Sequence, residues 1–463
     1  MDEEDSQEGK WYYTVVSKDY EFHNLEYEIL EDLFMEDGLG DESGRVSQAL
    51  TGFYYQLEDE SLRLTGLLPN DKDGESQRMP PSRTPTGRLQ VRNTEANTLI
   101  PVVGVKVKTR RLVKLGHGWT NGAGNYTVNK SYRYDVHYSV SFENQSGFKV
   151  WNTLLDVNPA NFNGPKQNRT GWSYNFETNS FGWRFATVTN AVRRYLVHAS
   201  AFGIGHPHSN LRIAALNRTG ASSAPMLRRV WGTFGFSTNS AFGNFLLRAN
   251  GISLAVNYIA TVTKLVQPDL IISAAVGRGT AQIYTTTFHE LAHASHQTKV
   301  GNNYWVKYIN YIITYGSYGE GDGNNAPLCA IGEAWGNHIG FSMNLREFGN
   351  PNSVISLNGF EDFNPEESGV GDDLIRRVDL NGRITSWEGW IPGGLMHDLL
   401  DNNADIIRGG IRDNVTLYNH QDVFNALDSD VISPQSFRDR LLSENNNRQR
   451  AFVLDLFEAY FWD

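Results

Sequence analysis

The strongest constraint in this chain is five residues long: His289-Glu290-Leu291-Ala292-His293. Two histidines four apart, with apolar helix-favouring residues between them, act together only on an α-helix. Positions i and i+4 share one helix face about one turn apart. Two imidazoles so placed can bind one metal ion at about 2.0–2.1 Å. Glu290, beside the first histidine, then reaches a water on that metal without binding the metal itself, which is the position of a general base. The helix is expected over Phe288–Gln297, opening near Thr285-Thr286-Thr287, because threonine caps helices.

A catalytic site of this kind needs a third protein ligand and an open position. Gly332-Glu333-Ala334-Trp335-Gly336-Asn337-His338 follows, with Glu333 standing 40 residues after His293 (333 − 293). The stretch Ala330–Leu345 reads as a helix with few charges near its start. A carboxylate there is costly unless it is paired or binds a metal. Glu333 is therefore the expected third ligand; His338 is the alternative ligand, and a surface role for Glu333 the bland one. His296 lies near the face of His289 and His293, two turns on from the first, with an outer-sphere or surface role expected.

The rest of the chain sets the context. Its 463 residues are too many for one simple core, so two or three domains are expected. The net charge of −11 argues against nucleic acid as the main partner, which would require clustered Lys and Arg. The one basic run, Lys106–Lys114, alternates like a strand with one solvated face. Cys329 is the single cysteine, so no internal disulfide forms. No run reaches the roughly 18 apolar residues of a membrane helix. The acidic start Met1-Asp2-Glu3-Glu4-Asp5 is unlike a signal peptide.

Three segments are expected. Residues 1–85 form a first segment of unknown role, with a short helix near Tyr27–Phe34 and a Pro-rich linker at Asp71–Pro85. Residues 86–155 read as a small all-β sandwich of short alternating runs, with Asn121-Gly122-Ala123-Gly124-Asn125 as a turn. Residues 156–463 read as an α+β domain with a helical C-terminal half. Its helices are expected at Trp183–Phe202, Phe288–Gln297, Tyr304–Tyr315, Ala330–Leu345, Gly394–Leu400 and Phe452–Tyr460, its strands at Leu211–Leu216 and Leu270–Ala274. The Gly-rich run Gly316–Asn325 is either a lid or a connection. Asp401, Asn403 and Asp405 imitate the start of a calcium loop. Ile406 and Arg412 stand where that loop needs Gly and Glu, so the match fails.

Pro101-Val102-Val103-Gly104-Val105-Lys106-Val107 with Gly118-Trp119-Thr120-Asn121 through Tyr126-Thr127-Val128 resembles the carboxypeptidase regulatory-like domain, a transthyretin-like accessory sandwich. The His289–His293 motif fits the zincin pattern. A metzincin continuation is excluded, because His296 and Lys299 occupy the positions of its Gly and third His. With Glu333, the pattern resembles the gluzincin zinc metallopeptidases. That resemblance implies one catalytic Zn²⁺ on His289, His293 and Glu333, peptide-bond hydrolysis by metal-activated water with Glu290 as general base, and a protein or peptide substrate. Gluzincins commonly carry Asp where this chain has Asn337, so Asn337 would be a neutral partner for a ligand imidazole. The resemblance also implies an oxyanion donor downstream. His397 is the candidate, with Asp401 at i+4 to orient it; Tyr315 and Tyr318 are alternatives, and plain packing is the bland role for His397. An accessory sandwich joined to a zincin implies an exported protein of a bacterial surface. Two rival functions remain: a surface binding protein with a relic zinc site, and a zinc hydrolase acting on a non-peptide bond.

Overall fold

A computed structural model describes residues 80–111, 114–154, 156, 158–167, 169–230, 268–315, 323–349, 377–378, 384–386, 391, 394–402, 406–408 and 411–460. The expected helix at Tyr27–Phe34, most of the linker, Tyr318 and the first part of the Gly-rich run lie outside these residues.

The β-rich half comes first. Strands β1 (Thr86–Asn93), β2 (Thr98–Pro101), β3 (Val105–Arg111), β4 (Lys114–Trp119), β5 (Asn125–Thr127), β6 (Val136–Asn144), β7 (Lys149–Trp151), β8 (Asn161–Gln167), β9 (Tyr174–Phe176), β10 (Arg212–Leu216) and β11 (Leu270–Ser273) make two sheets. The smaller has the order β2-β1-β5, with β9 also on β1; the larger runs β11-β10-β7-β6-β3-β4, with β8 also on β6. The basic run alternates as expected over β3, where Val105, Val107 and Thr109 are buried while Lys108 and Arg110 face out, but its last residue, Lys114, opens β4 and is buried. The Asn121–Asn125 turn forms, with Gly124 at φ +77° and the Asn121 side chain accepting from the backbone of Ala123 and Asn125. It joins β4 to β5, which lie in different sheets, so it turns a corner rather than closing a hairpin.

The boundary expected at residue 155 does not divide this structure. Val136 of β6 pairs with Gln167 of β8, Val150 of β7 with Ile213 of β10, and Val91 of β1 with Phe176 of β9. One continuous core runs from Leu89 to Tyr460. The expectation of a self-contained sandwich at 86–155 is therefore corrected. Alternating patterns reveal which segments become strands, but hold no information on which strand each will pair with.

The helical half follows. Helix α1 (Trp183–Phe202) follows β9 and leads into β10, which pairs parallel with β7. After β11 come α2 (Thr280–Val300), α3 (Asn302–Tyr315) and α4 (Ala326–Phe348), then α5 (Leu395–Asp398), α6 (His420–Ala426), α7 (Pro434–Glu444) and α8 (Arg450–Ala459). No helix among the described residues is long and apolar enough to cross a membrane.

Helix α2 begins at Thr280, well before the threonines expected to open it. Thr285, Thr286 and Thr287 do not cap. Their hydroxyls donate to the carbonyls of Ala281, Gln282 and Ile283, four residues back, as mid-helix threonines do. The true start is held from a distance. Thr94 Oγ1 accepts from the Thr280 backbone N–H at 2.7 Å, and Glu95 Oε1 from that of Ala281 at 3.3 Å. Both residues sit just after β1, so the smaller sheet fixes the N-terminus of this helix. A carboxylate there also complements the helix dipole.

Because both sheets draw strands from each side of residue 155, the C-terminal part cut off from the first is expected not to fold. Residues 156–463 expressed alone should show no cooperative thermal transition by circular dichroism. A sharp transition like that of the full chain would overturn this account.

Candidate metal centre

Helix α2 presents His289 and His293 on one face, and α4 crosses that face. The close approach is made by glycine. A Cβ on Gly336 would stand 2.8 Å from His289 Cε1 and 2.9 Å from His293 Nε2. One turn along, a Cβ on Gly340 would meet His289 Cβ and the Thr285 carbonyl at 3.3 Å. Direct bonds pin the pair: Trp335 Nε1 donates to the Ala292 carbonyl at 3.2 Å, and Asn344 Nδ2 to the Ala281 carbonyl at 3.0 Å. Helix α1 braces both, through Tyr195 to Ser295 of α2 at 2.7 Å and through Arg194 and His198 to Glu347 of α4.

This packing brings Glu333 to the two imidazoles. His289 Nε2 lies 3.0 Å from His293 Nε2. The Glu333 carboxylate lies 3.3 Å from His289 Nε2 through Oε2 and 3.6 Å from His293 Nε2 through Oε1. Ligands of a tetrahedral ion at about 2.0–2.1 Å stand about 3.3 Å from each other. The three separations bracket that value, so this donor set fits a divalent ion. Glu290 is also close: one of its oxygens lies within 4.8 Å of ligand nitrogens of both histidines. Either carboxylate thus stands within reach of the two imidazoles, Glu333 at 3.3 and 3.6 Å. His338, the alternative, instead packs its ring against Trp335, His397 and His420.

The centre has one open side. The His289 side chain is 17% exposed, against 3% for His293 and 4% for Glu333. On the closed side, Tyr308 of α3 donates a hydrogen bond to Glu333 Oε1. Its ring stacks on Trp305 at 4.7 Å, and Gly332 leaves room for it, since a Cβ there would touch the ring at 3.0 Å. Both aromatic rings flank His293.

Electrostatics follow from burial and proximity. Burial opposes a charge on His289, but Glu333, Glu290 and Asn337 outweigh it and hold its pKa above the ordinary value. Burial lowers the pKa of His293, with Glu333 opposing. Burial would raise Glu333, yet the two imidazoles hold it well below the usual carboxylate range. Glu290, 4% exposed, is pushed up to about 8 by burial, with His289 opposing and Glu333 adding to the rise. A dication beside it would pull that value down.

His296 is fully buried against Tyr304 and Trp305, so the surface role is excluded. Burial drives its pKa to about 3. His397 lies beside His338 and Phe341, with Asp401 Oδ2 3.9 Å from its Nε2, longer than a hydrogen bond. Of the Gly-rich run, only Gly323–Asn325 is described, and Tyr315 is 43% exposed. Sequence reasoning missed Tyr308 and Gly336. The spacing of Gly332, Gly336 and Gly340, four apart in an apolar helix, was a readable sign of close helix contact. Tyr308 carried no such sign, because its role depends on α3 folding back over the centre.

No protein-family model and no curated protein matches this chain.

Two expectations follow. Gly336→Ala should abolish metal binding, because the added methyl overlaps both imidazoles; isothermal titration with Zn²⁺ is the check, and unchanged affinity would contradict the geometry. Metal affinity should also fall on acidification. The His289 pKa is raised, so its protonated form, which cannot bind a metal, persists to higher pH than for a free imidazole at about 6.5. Competitive zinc titrations between about pH 8 and 5 should show the loss beginning above that value.

Proposed function

We propose that the chain is a zinc-dependent peptidase of the gluzincin type, acting on protein or peptide substrates. The observation that carries this reading is the triangle of His289, His293 and Glu333 at 3.0, 3.3 and 3.6 Å, with Glu290 buried beside it. Two imidazoles and one carboxylate around an open position form the donor set of catalytic zinc. Bound there, Zn²⁺ supplies Lewis acidity, bringing the pKa of a water towards about 7 and polarising a carbonyl.

The chain's own residues supply the rest. The exposed edge of His289 marks where a substrate carbonyl and a water enter. Glu290 takes the proton from that water as it attacks the carbonyl carbon, then passes it to the departing amine nitrogen. Its low-dielectric surroundings raise its proton affinity, so the carboxylate is a stronger base than one in water. Tyr308 holds one oxygen of Glu333 and keeps that carboxylate in one orientation, and loss of such a partner typically costs about 10–100-fold in metal affinity or activity.

The deciding experiment is hydrolysis of a mixed peptide library by the full chain, abolished by a chelator and restored by Zn²⁺. Glu290→Gln should keep the metal and lose turnover, since Gln preserves shape but accepts no proton at neutral pH. Near wild-type turnover in that variant would sink the mechanism. Metal binding without cleavage of any peptide would favour a binding protein instead.

A further inference from the structure

Three neighbouring side chains of α2 carry polar atoms that the ligand triangle leaves unused. His293, His296 and Gln297 stand at i, i+3 and i+4, so they share one helix face, and all three are buried. Nδ1 of His293, both ring nitrogens of His296 and Oε1 of Gln297 meet no hydrogen-bond partner among the described residues. Buried polar atoms are nearly always paired, because an unpaired one forfeits the bonds it made to water. The polar groups packed beside them are committed elsewhere. Trp305 Nε1 donates to the Ala224 carbonyl at 3.0 Å, and the Tyr304 hydroxyl to the Val431 carbonyl at 3.1 Å.

The surroundings assign each atom a role. Nε2 of His293 faces His289 and Glu333, so that nitrogen is the one a metal would take. A neutral imidazole that gives one nitrogen to a metal carries its proton on the other, which makes Nδ1 of His293 a donor. The Gln297 amide is oriented by a chain of bonds. Asn302 Nδ2 donates to the Arg229 carbonyl at 2.8 Å, which leaves Asn302 Oδ1 to accept from Gln297 Nε2 at 2.8 Å. The other end of that amide, Oε1, is therefore an acceptor turned away from Asn302. Helical side chains lean towards the N-terminus, so Gln297 reaches back over the turn of His293. A buried donor and a buried acceptor, both unmatched, thus lie one turn apart on one face.

We propose that Gln297 is a positioning residue for the metal ligand His293, acting through one enclosed water that it shares with His296. The inference rests on the zinc reading above. The water accepts from Nδ1–H of His293, and it donates to Oε1 of Gln297 and to the unprotonated ring nitrogen of His296. Three bonds is the usual number for a buried water, and a polar contact too long for a direct bond is the usual place for one. The remaining N–H of His296 lies among the rings of Tyr304 and Trp305, whose centroids are 5.3 and 5.9 Å from its own. With Nδ1 so held, His293 keeps the tautomer and ring orientation that present Nε2 to the ion. His289, partly open to solvent, has no such enclosure, so the two imidazoles are steadied by different means.

The Zn²⁺ affinity of the full-length chain is measured by competition with a chromophoric chelator, with circular dichroism as the check on folding. Gln297→Met keeps the length of the side chain and removes the acceptor. It should lower affinity about 10–100-fold, the usual effect of losing such a partner. Asn302→Ala removes the bond on the far side of Gln297 and leaves Oε1 in place, so it should cost much less. Equal losses in the two variants would show Gln297 to be structural support only, and would overturn the proposal. Zinc-loaded wild type gives a readout that depends on no substitution. Long-range ¹H–¹⁵N spectra should show His293 protonated at Nδ1, with that proton protected from solvent exchange, and Gln297→Met should lose the protection. Crystals should show a water within hydrogen-bond reach of both Nδ1 of His293 and Oε1 of Gln297; its absence would overturn the proposal even if Gln297→Met fails to fold. Unchanged zinc affinity in a folded Gln297→Met chain would overturn it while leaving the zinc reading intact. A wild-type chain that binds no zinc would overturn both.

Discussion

The arrangement rests on how closely α4 can lie against α2. Two imidazoles on one helix face project far enough to hold a neighbouring helix away. Here the neighbour meets them with Gly336, and any side chain at that point would collide with both rings. Glu333, three residues before Gly336, is thereby carried to within reach of both ring nitrogens. Trp335 and Asn344 then bond across to backbone carbonyls of α2 and fix the register. A helix crossing made without glycine would leave the carboxylate beyond bonding distance, and no adjustment of its side chain alone would restore the triangle.

That close packing has an electrostatic consequence. Glu290, His293 and Glu333 are nearly fully buried, and His289 is only partly open. Two carboxylates in one apolar pocket repel, and each is costly to bury alone. The imidazoles hold Glu333 ionised, while Glu290 is left with a raised proton affinity. The two carboxylates therefore differ in role because of their surroundings: one is committed to the ring nitrogens, and the other is free to exchange a proton.

Much of this was legible in the sequence, for reasons specific to each residue. The His289–His293 spacing forces a helical face, and Glu333 stood out as a charge in an apolar helix. Helix α1 was readable end to end from its periodicity. The start of α2 was not, because its caps are Thr94 and Glu95, 186 residues before Thr280 and Ala281 in the chain. The division at residue 155 failed for the same kind of reason. Local alternation marks β6, β7 and β1 as strands, but their partners β8, β10 and β9 are chosen by the three-dimensional packing. Of the two roles open to His296, outer-sphere or surface, the surface one fails because α3, which buries it, is a separate helix that closes over it.

These non-local ties change what the β-rich half is for. Had residues 86–155 been a separate accessory, the metal helix would depend only on its own neighbours. Instead β11 runs directly into the approach to α2, parallel to β10, which is parallel in turn to β7. The turn after β1 grips the first N–H groups of α2, and Trp183 at the start of α1 donates to the Arg92 carbonyl of β1 at 2.9 Å. Both sheets thus anchor the helices that carry or brace the ligands. A ligand triangle accurate to a few tenths of an ångström needs rigid support on every side. In this chain that support comes from strands nearly two hundred residues upstream, so the β-rich half belongs to the candidate metal centre as much as the helices do.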